Sequence, residues 1–213
     1  MANIHCNYYS NALQLNTDIN VVIPTPNSDE LMNHKDTSYW REGAKYQVLY
    51  LLHGTYGDYS DWCHLTSIEK YAQNHKIMVV MPSVANSFYQ DMVYGPAYLT
   101  FLTEELPEYL GRLFPASTRR EDSFVAGLSM GGYGAFKLGL RCPDRFAAVA
   151  SLSGGLDAAE CCKINDAPIW GQIFGKAEDV PGSDNDLFAV AKRLKASGKE
   201  LPKLYMWCGT EDF

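Results

Sequence analysis

Hydrophobic positions along this 213-residue chain change their period from one segment to the next. At the N-terminus they alternate. Residues 4–9, 12–15 and 18–23 read as antiparallel strands or a hairpin with one face buried. Residues 24–43 are rich in Asn, Asp, Ser and Pro and predict a surface loop. Continuous apolar runs then appear at 47–52, 77–81, 123–128, 146–152 and 203–208. Strands apolar on both faces belong to a parallel sheet covered by helices. Helical spacing lies between them. Residues 67–74 form a short polar segment, and 97–114 a longer apolar one with a kink expected at Pro107. Residues 131–141 are apolar and stop before Pro143, and 187–196 lead to Gly198. Strand and helix in alternation mean an α/β fold. Residues 154–186 follow neither period and read as an irregular, lid-like insert at the C-terminal end of a strand. The whole length, 1–213, is expected to be one domain.

Composition narrows the class. Hydrophobic residues make up 46% and charged residues 20%, which excludes a disordered, collagen-like or coiled-coil chain. Eighteen basic against 25 acidic side chains give a net charge of −7. That balance argues against nucleic acid and against an anionic membrane as partners. No apolar run approaches the roughly 20 residues of a membrane span. Residues 1–5 carry neither a basic head nor an apolar stretch, so no secretory leader is expected. The six cysteines include no C-x-x-C pair, and Cys161 and Cys162 are adjacent. They read as reduced thiols of a cytoplasmic protein.

The chemistry points to Gly127-Leu128-Ser129-Met130-Gly131, a G-x-S-x-G pattern entered from an apolar strand and left by an apolar helix. This is the context of a nucleophile elbow. Small neighbours let strand and helix pass close to the serine backbone. The hydroxyl is then held above the sheet at the positive end of a helix. Ser129 is the candidate nucleophile, and the Met130 amide is a candidate oxyanion donor. A second donor is expected from the loop after an earlier strand, where Gly54 allows a sharp exit and Thr55 supplies the amide. His53 reads as a strand-end histidine bonded to loop backbone in preference to a general base. Trp62 reads equally as core or as a wall of an acyl pocket. Past the strand at 203–208, Asp212 is the candidate acid that orients a base, with Glu211 as its alternative.

The chain resembles the esterase D branch of the α/β-hydrolases, nearest to the bacterial tributyrin esterase and feruloyl esterase group. The resemblance rests on Leu51-Leu52-His53-Gly54 with Asp61-Trp62, and on the segments 86–92 and 104–107. The motif at 127–132 and Cys208-Gly209-Thr210-Glu211-Asp212-Phe213 complete it. It spans nearly the whole length. It implies a three-layer sandwich with a mostly parallel sheet and N-terminal antiparallel strands, lacking the last helix and strand of the family. It also implies a serine carboxylesterase for short-chain or aromatic (hydroxycinnamoyl) acyl esters, with no metal and no cofactor. Ser129 and Asp212 become catalytic residues, and Thr55 and Met130 oxyanion donors. His53, Gly54, Trp62 and Tyr89 fall on the substrate side, with residues 88–94 at the pocket mouth. The family's catalytic histidine follows the acid. The five histidines here, His5, His34, His53, His64 and His75, all precede Ser129, so the base is expected beyond residue 213. A chain without it is expected to be weakly active or inactive, and an open sheet edge there would favour a homodimer. An S-formylglutathione hydrolase or acyltransferase would use the same site, and a non-catalytic binding module would share the fold.

Overall fold

The computed structural model describes residues 1–33, 43–164 and 168–212. In chain order the elements are β1 (Ala2–Ser10), β2 (Leu15–Ile23), α1 (Ser28–Met32), β3 (Val48–Leu52), α2 (Asp61–Leu65), α3 (Ile68–His75) and β4 (Met78–Pro82). They continue with α4 (Tyr98–Thr100), α5 (Leu106–Leu113), β5 (Ser123–Leu128), α6 (Met130–Arg141) and β6 (Ala148–Leu152). The last are α7 (Ala158–Ile164), α8 (Ile169–Phe174), α9 (Leu187–Ala196) and β7 (Lys203–Trp207). The strands form one sheet in the order β1-β2-β4-β3-β5-β6-β7. β1 and β2 are antiparallel, as their alternation predicts, and β2 joins β4 antiparallel. From β4 to β7 every pairing is parallel. This is the sheet expected of an α/β-hydrolase.

Three expectations change. The segment 97–114 is not one kinked helix. A π-helical turn, Phe101–Glu105, separates α4 from α5 just before Pro107. Proline lacks an N–H and crowds the carbonyl four residues back, so a widened turn there accommodates the ring. The loop expected at 24–43 contains α1, and its residues 34–42 lie outside the described residues. Asn27 and Glu30 cap α1 reciprocally: the Glu30 amide donates to Asn27 Oδ1 at 2.9 Å and the Asn27 amide to Glu30 Oε2 at 3.1 Å. The insert at 154–186 is largely folded, as α7, α8 and a 3₁₀ turn at Ala177–Asp179. Helices this short give no periodic signal that a sequence window detects.

The two faces of the sheet differ. On one, α5, α6 and α9 cover a large core built around Tyr50, Leu106, Leu110, Tyr133, Phe136 and Leu138. On the other, α2 and α3 cover a smaller cluster around Leu51, Val79, Met81, Ile68 and Ala72. β3 and β4 are therefore buried almost throughout. β5 and β6 alternate instead between buried and more accessible positions, and all five residues of β7 are exposed. The apolar run at 203–208 predicted a strand covered on both faces; the strand forms, but uncovered.

Candidate functional site

The site assembles at the C-terminal ends of the parallel strands, where open α/β sheets place their ligands. Its centre is the step from β5 into α6. Ser129 caps α6 with φ 54° and ψ −116°, a left-handed conformation that costs a non-glycine residue about 1–3 kcal/mol. The neighbours over-determine it. The Ser129 amide donates to Leu152 O at 2.9 Å, and Ser129 O accepts from the amides of Gly132 and Tyr133 at 2.9 and 3.2 Å. Strand and helix approach so closely that only glycine fits. A Cβ on Gly127 would lie 2.2 Å from Gly131 O, and one on Gly131 would lie 2.4 Å from Leu52 O. The result is an exposed serine on a turn whose backbone cannot relax.

Helix α6 supports this turn by being buried all round. Every residue from Met130 to Leu140 is buried. A helix apolar on all sides is a core element, and its N-terminus is correspondingly fixed. The Met130 amide is the first in α6, and such an amide has no acceptor within its own helix. It is the donor the sequence proposes for a negative charge developing beside Ser129.

The exit of β3 packs against this point. A Cβ on Gly54 would lie 3.7 Å from Ser129 Cβ and 3.6 Å from Leu128 O. Three successive carbonyls at this exit are each held by a side chain. Trp62 Nε1–H donates to Leu52 O at 3.1 Å, Tyr89 O–H to His53 O at 2.8 Å, and His53 Nδ1–H to Gly54 O at 2.7 Å. The next residue, Thr55, is exposed. Beyond it Tyr56 takes a positive φ of 67°, and its amide donates to Asn86 Oδ1 at 2.7 Å. Asn86 therefore fixes the loop that carries the second expected donor. The sequence offers no sign of that role, because the partners are 30 residues apart.

Three residues placed on the substrate side by the sequence belong to the packing beneath the site. Tyr89 is wholly buried and lies against Gly134. His53 is 1% exposed, with Nε2 accepting from the Val84 amide at 3.1 Å. Burial, opposed in part by its bond to Gly54 O, lowers its pKa below the ordinary imidazole value. Both ring nitrogens are committed, which agrees with a strand-end histidine bonded to loop backbone. Trp62 is partly buried and packs against the α2–α3 cluster, as a core side chain does. At 88–94, Phe88 is buried among Tyr133, Trp170 and Phe174, whereas Tyr94 is exposed.

On the far side of Ser129, β6 and β7 end side by side. The Ser153 amide donates to Trp207 O at 2.8 Å. Asp212 follows in a tight turn. Its amide donates to Gly209 O at 3.3 Å, and Cys208 Sγ–H donates to Asp212 Oδ2 at 3.3 Å. That contact raises the Cys208 pKa. Asp212 is thus exposed, two strands from Ser129, at the same end of the sheet. Among the described residues no cluster of His, Cys, Asp and Glu could hold a metal ion, and no helix is long and apolar enough to cross a membrane.

The Esterase family model matches residues 14–212. The chain belongs to this family. It is 33% identical over 222 residues to an acetyl esterase of Caldicellulosiruptor saccharolyticus, a match that covers 100% of this chain and 82% of that protein. Among solved structures it matches FphF, a fluorophosphonate-binding serine hydrolase of Staphylococcus aureus, with a TM-score of 0.87 and 32% identity. That match covers 99% of this chain and 80% of FphF. It also matches the S-formylglutathione hydrolase FrmB of Staphylococcus aureus with a TM-score of 0.83 and 32% identity, over 98% of this chain and 80% of FrmB. This esterase is therefore an α/β-hydrolase of the carboxylic ester hydrolase class.

Proposed function

We propose that the esterase cleaves short-chain or aromatic, hydroxycinnamoyl-type, acyl esters through an acyl-enzyme on Ser129. The observation that carries the reading is the strained φ of Ser129 between two glycines that admit no side chain. In this mechanism Ser129 Oγ attacks the ester carbonyl, and the amides of Thr55 and Met130 hold the tetrahedral oxyanion. The alcohol leaves with a proton, and water releases the acid. Asp212 would steady a base histidine, which would take the Ser129 proton and return it to the leaving alcohol. Residues 130–213 contain no histidine, and His53 is already bonded through both ring nitrogens. On this reading Ser129, the amides of Thr55 and Met130, and Asp212 are the nucleophile, oxyanion and acid parts of the site.

A second reading is favoured by the likeness to FrmB. The same atoms would cleave a thioester such as an S-acyl glutathione, and an acyltransferase would replace water by an alcohol. The test compares p-nitrophenyl butyrate, methyl ferulate and a thioester on the enzyme and on Ser129→Ala. We expect oxygen esters to be preferred, and a fluorophosphonate probe to label the enzyme but not Ser129→Ala. Equal hydrolysis by both proteins would overturn the reading, and a thioester preference would favour the second.

A further inference from the structure

Lysine is almost never fully buried without a charged partner. Lys137, two turns into α6 from Ser129, is wholly buried. Its Nζ donates to Asn185 Oδ1 at 2.6 Å and to Gln90 Oε1. Gln90 Nε2–H also donates to Asn185 Oδ1, at 2.6 Å, so the three side chains close a small ring. The face of the Tyr133 ring lies 5.7 Å from Nζ.

No carboxylate contacts this amine among the described residues. Asp91, from the segment after β4, accepts from the amide and hydroxyl of Thr100 at 2.9 and 2.8 Å. Asp184 is paired with Arg141 at 3.1 Å and with Arg193 of α9 at 2.7 Å. Asp186 caps α9 through the Ala189 amide at 3.0 Å, with Lys192 as its nearby charge. Burial, with Arg141 adding repulsion, lowers Lys137 from the usual lysine range to about 7. Two amide oxygens receive its N–H donors.

The partners are two separate pieces of chain. Gln90 follows Phe88 and Tyr89, which take positive φ of 50° and 56°. Asn185 closes the insert just before α9, and its carbonyl accepts from the Tyr133 hydroxyl at 2.9 Å. Beyond the ring these pieces meet directly. The Val93 amide donates to Ile173 O at 3.2 Å, and Tyr94 to Gln172 O at 2.9 Å. Through Asn86 the first piece also holds the loop after Gly54. Both pieces are thus tied to α6 through the Lys137 amine, with the Tyr133 hydroxyl as a second bond to Asn185.

We propose that Lys137 is a positioning residue for the esterase site: it fastens the segment after β4 and the insert before α9 to the helix that carries Ser129, and so sets the shape of the pocket mouth expected at 88–94. The assignment rests on the esterase reading for its kinetic consequence, but not for its structural one.

The test is hydrogen exchange on the protein and on Lys137→Met, which keeps the apolar stem and removes the donors. Protection at Gln90, Val93 and Tyr94 should fall about tenfold or more, with the β3–β5 ladder unchanged. Unchanged exchange at those amides, or a uniform rise everywhere with a lower melting temperature, overturns the proposal. In the enzyme, Lys137→Met should raise KM for aromatic esters at least fivefold while kcat stays within about twofold. Asn185→Leu in the same background should add little, because both changes open one ring. A loss confined to kcat, or full additivity, also overturns it. If the unmodified protein fails to react at Ser129, the esterase reading falls and the exchange result stands on its own.

Discussion

The two flanks of Ser129 are built in opposite ways. On the β3 side, three consecutive carbonyls are each held by a buried or half-buried side chain, and Gly131 presses backbone against backbone. On the β7 side every strand residue is exposed, and Asp212 is held within its own turn by Gly209 and Cys208. On the esterase reading, the β3 side is the one that carries the oxyanion donors. Oxyanion donors must stand ready before charge develops, because dipoles that reorient during the reaction lose most of their effect. That half is locked. The proposed acid sits on the flank whose recorded contacts are local to its own turn.

If that division holds, substitutions on the two flanks should separate chemistry from folding. The largest expected effect is Asp212→Asn. It should lower kcat by roughly three to four orders of magnitude where the base histidine is in place, as loss of a triad carboxylate does in serine proteases. Melting temperature should not change, because the side chain is exposed. A matched loss of stability would mean the acid side is structural. Next comes a pair of glycines. Gly131→Ala would place a methyl 2.4 Å from Leu52 O and 2.7 Å from His53 O, both backbone atoms that cannot yield. It should cost about 1–3 kcal/mol or more in chemical unfolding and displace the oxyanion donors. Gly209→Ala meets nothing within 4 Å and should stay within about 0.5 kcal/mol. Similar costs at both positions would erase the contrast.

The same contrast marks what the sequence could reveal. The turn at 127–131 is legible because its strain demands small residues at fixed spacing, and the strand and helix around it follow in register. The antiparallel start and the parallel sheet are legible from period alone. Trp62 and Tyr89 are not. Each is an aromatic beside a motif, and only the closed fold turns their polar tips onto carbonyls of β3. Nothing in the sequence marks Lys137 for burial. Its burial depends on Gln90 and Asn185, which lie 47 and 48 residues away. The exposure of β7 is equally hidden, since Leu204, Met206 and Trp207 have the composition of a covered strand.

The subtlest difference between the flanks is their response to acid. His53 lies on the locked side, and its Nε2 works as an acceptor for the Val84 amide. Protonation would turn that acceptor into a donor facing a donor, in a setting where burial already disfavours the charge. The folded chain therefore binds this proton less readily than the unfolded chain does. Its contribution to stability is present above an ordinary imidazole pKa of about 6.5 and is lost as pH falls below it. One such proton changes stability by at most about 1.4 kcal/mol per pH unit. Denaturant midpoints between pH 7.5 and 5 should fall more steeply for the native protein than for His53→Gln, whose amide side chain does not titrate. Parallel slopes would show that the β3 exit tolerates a charged ring, and that this flank is less firmly set than its three bonded carbonyls indicate.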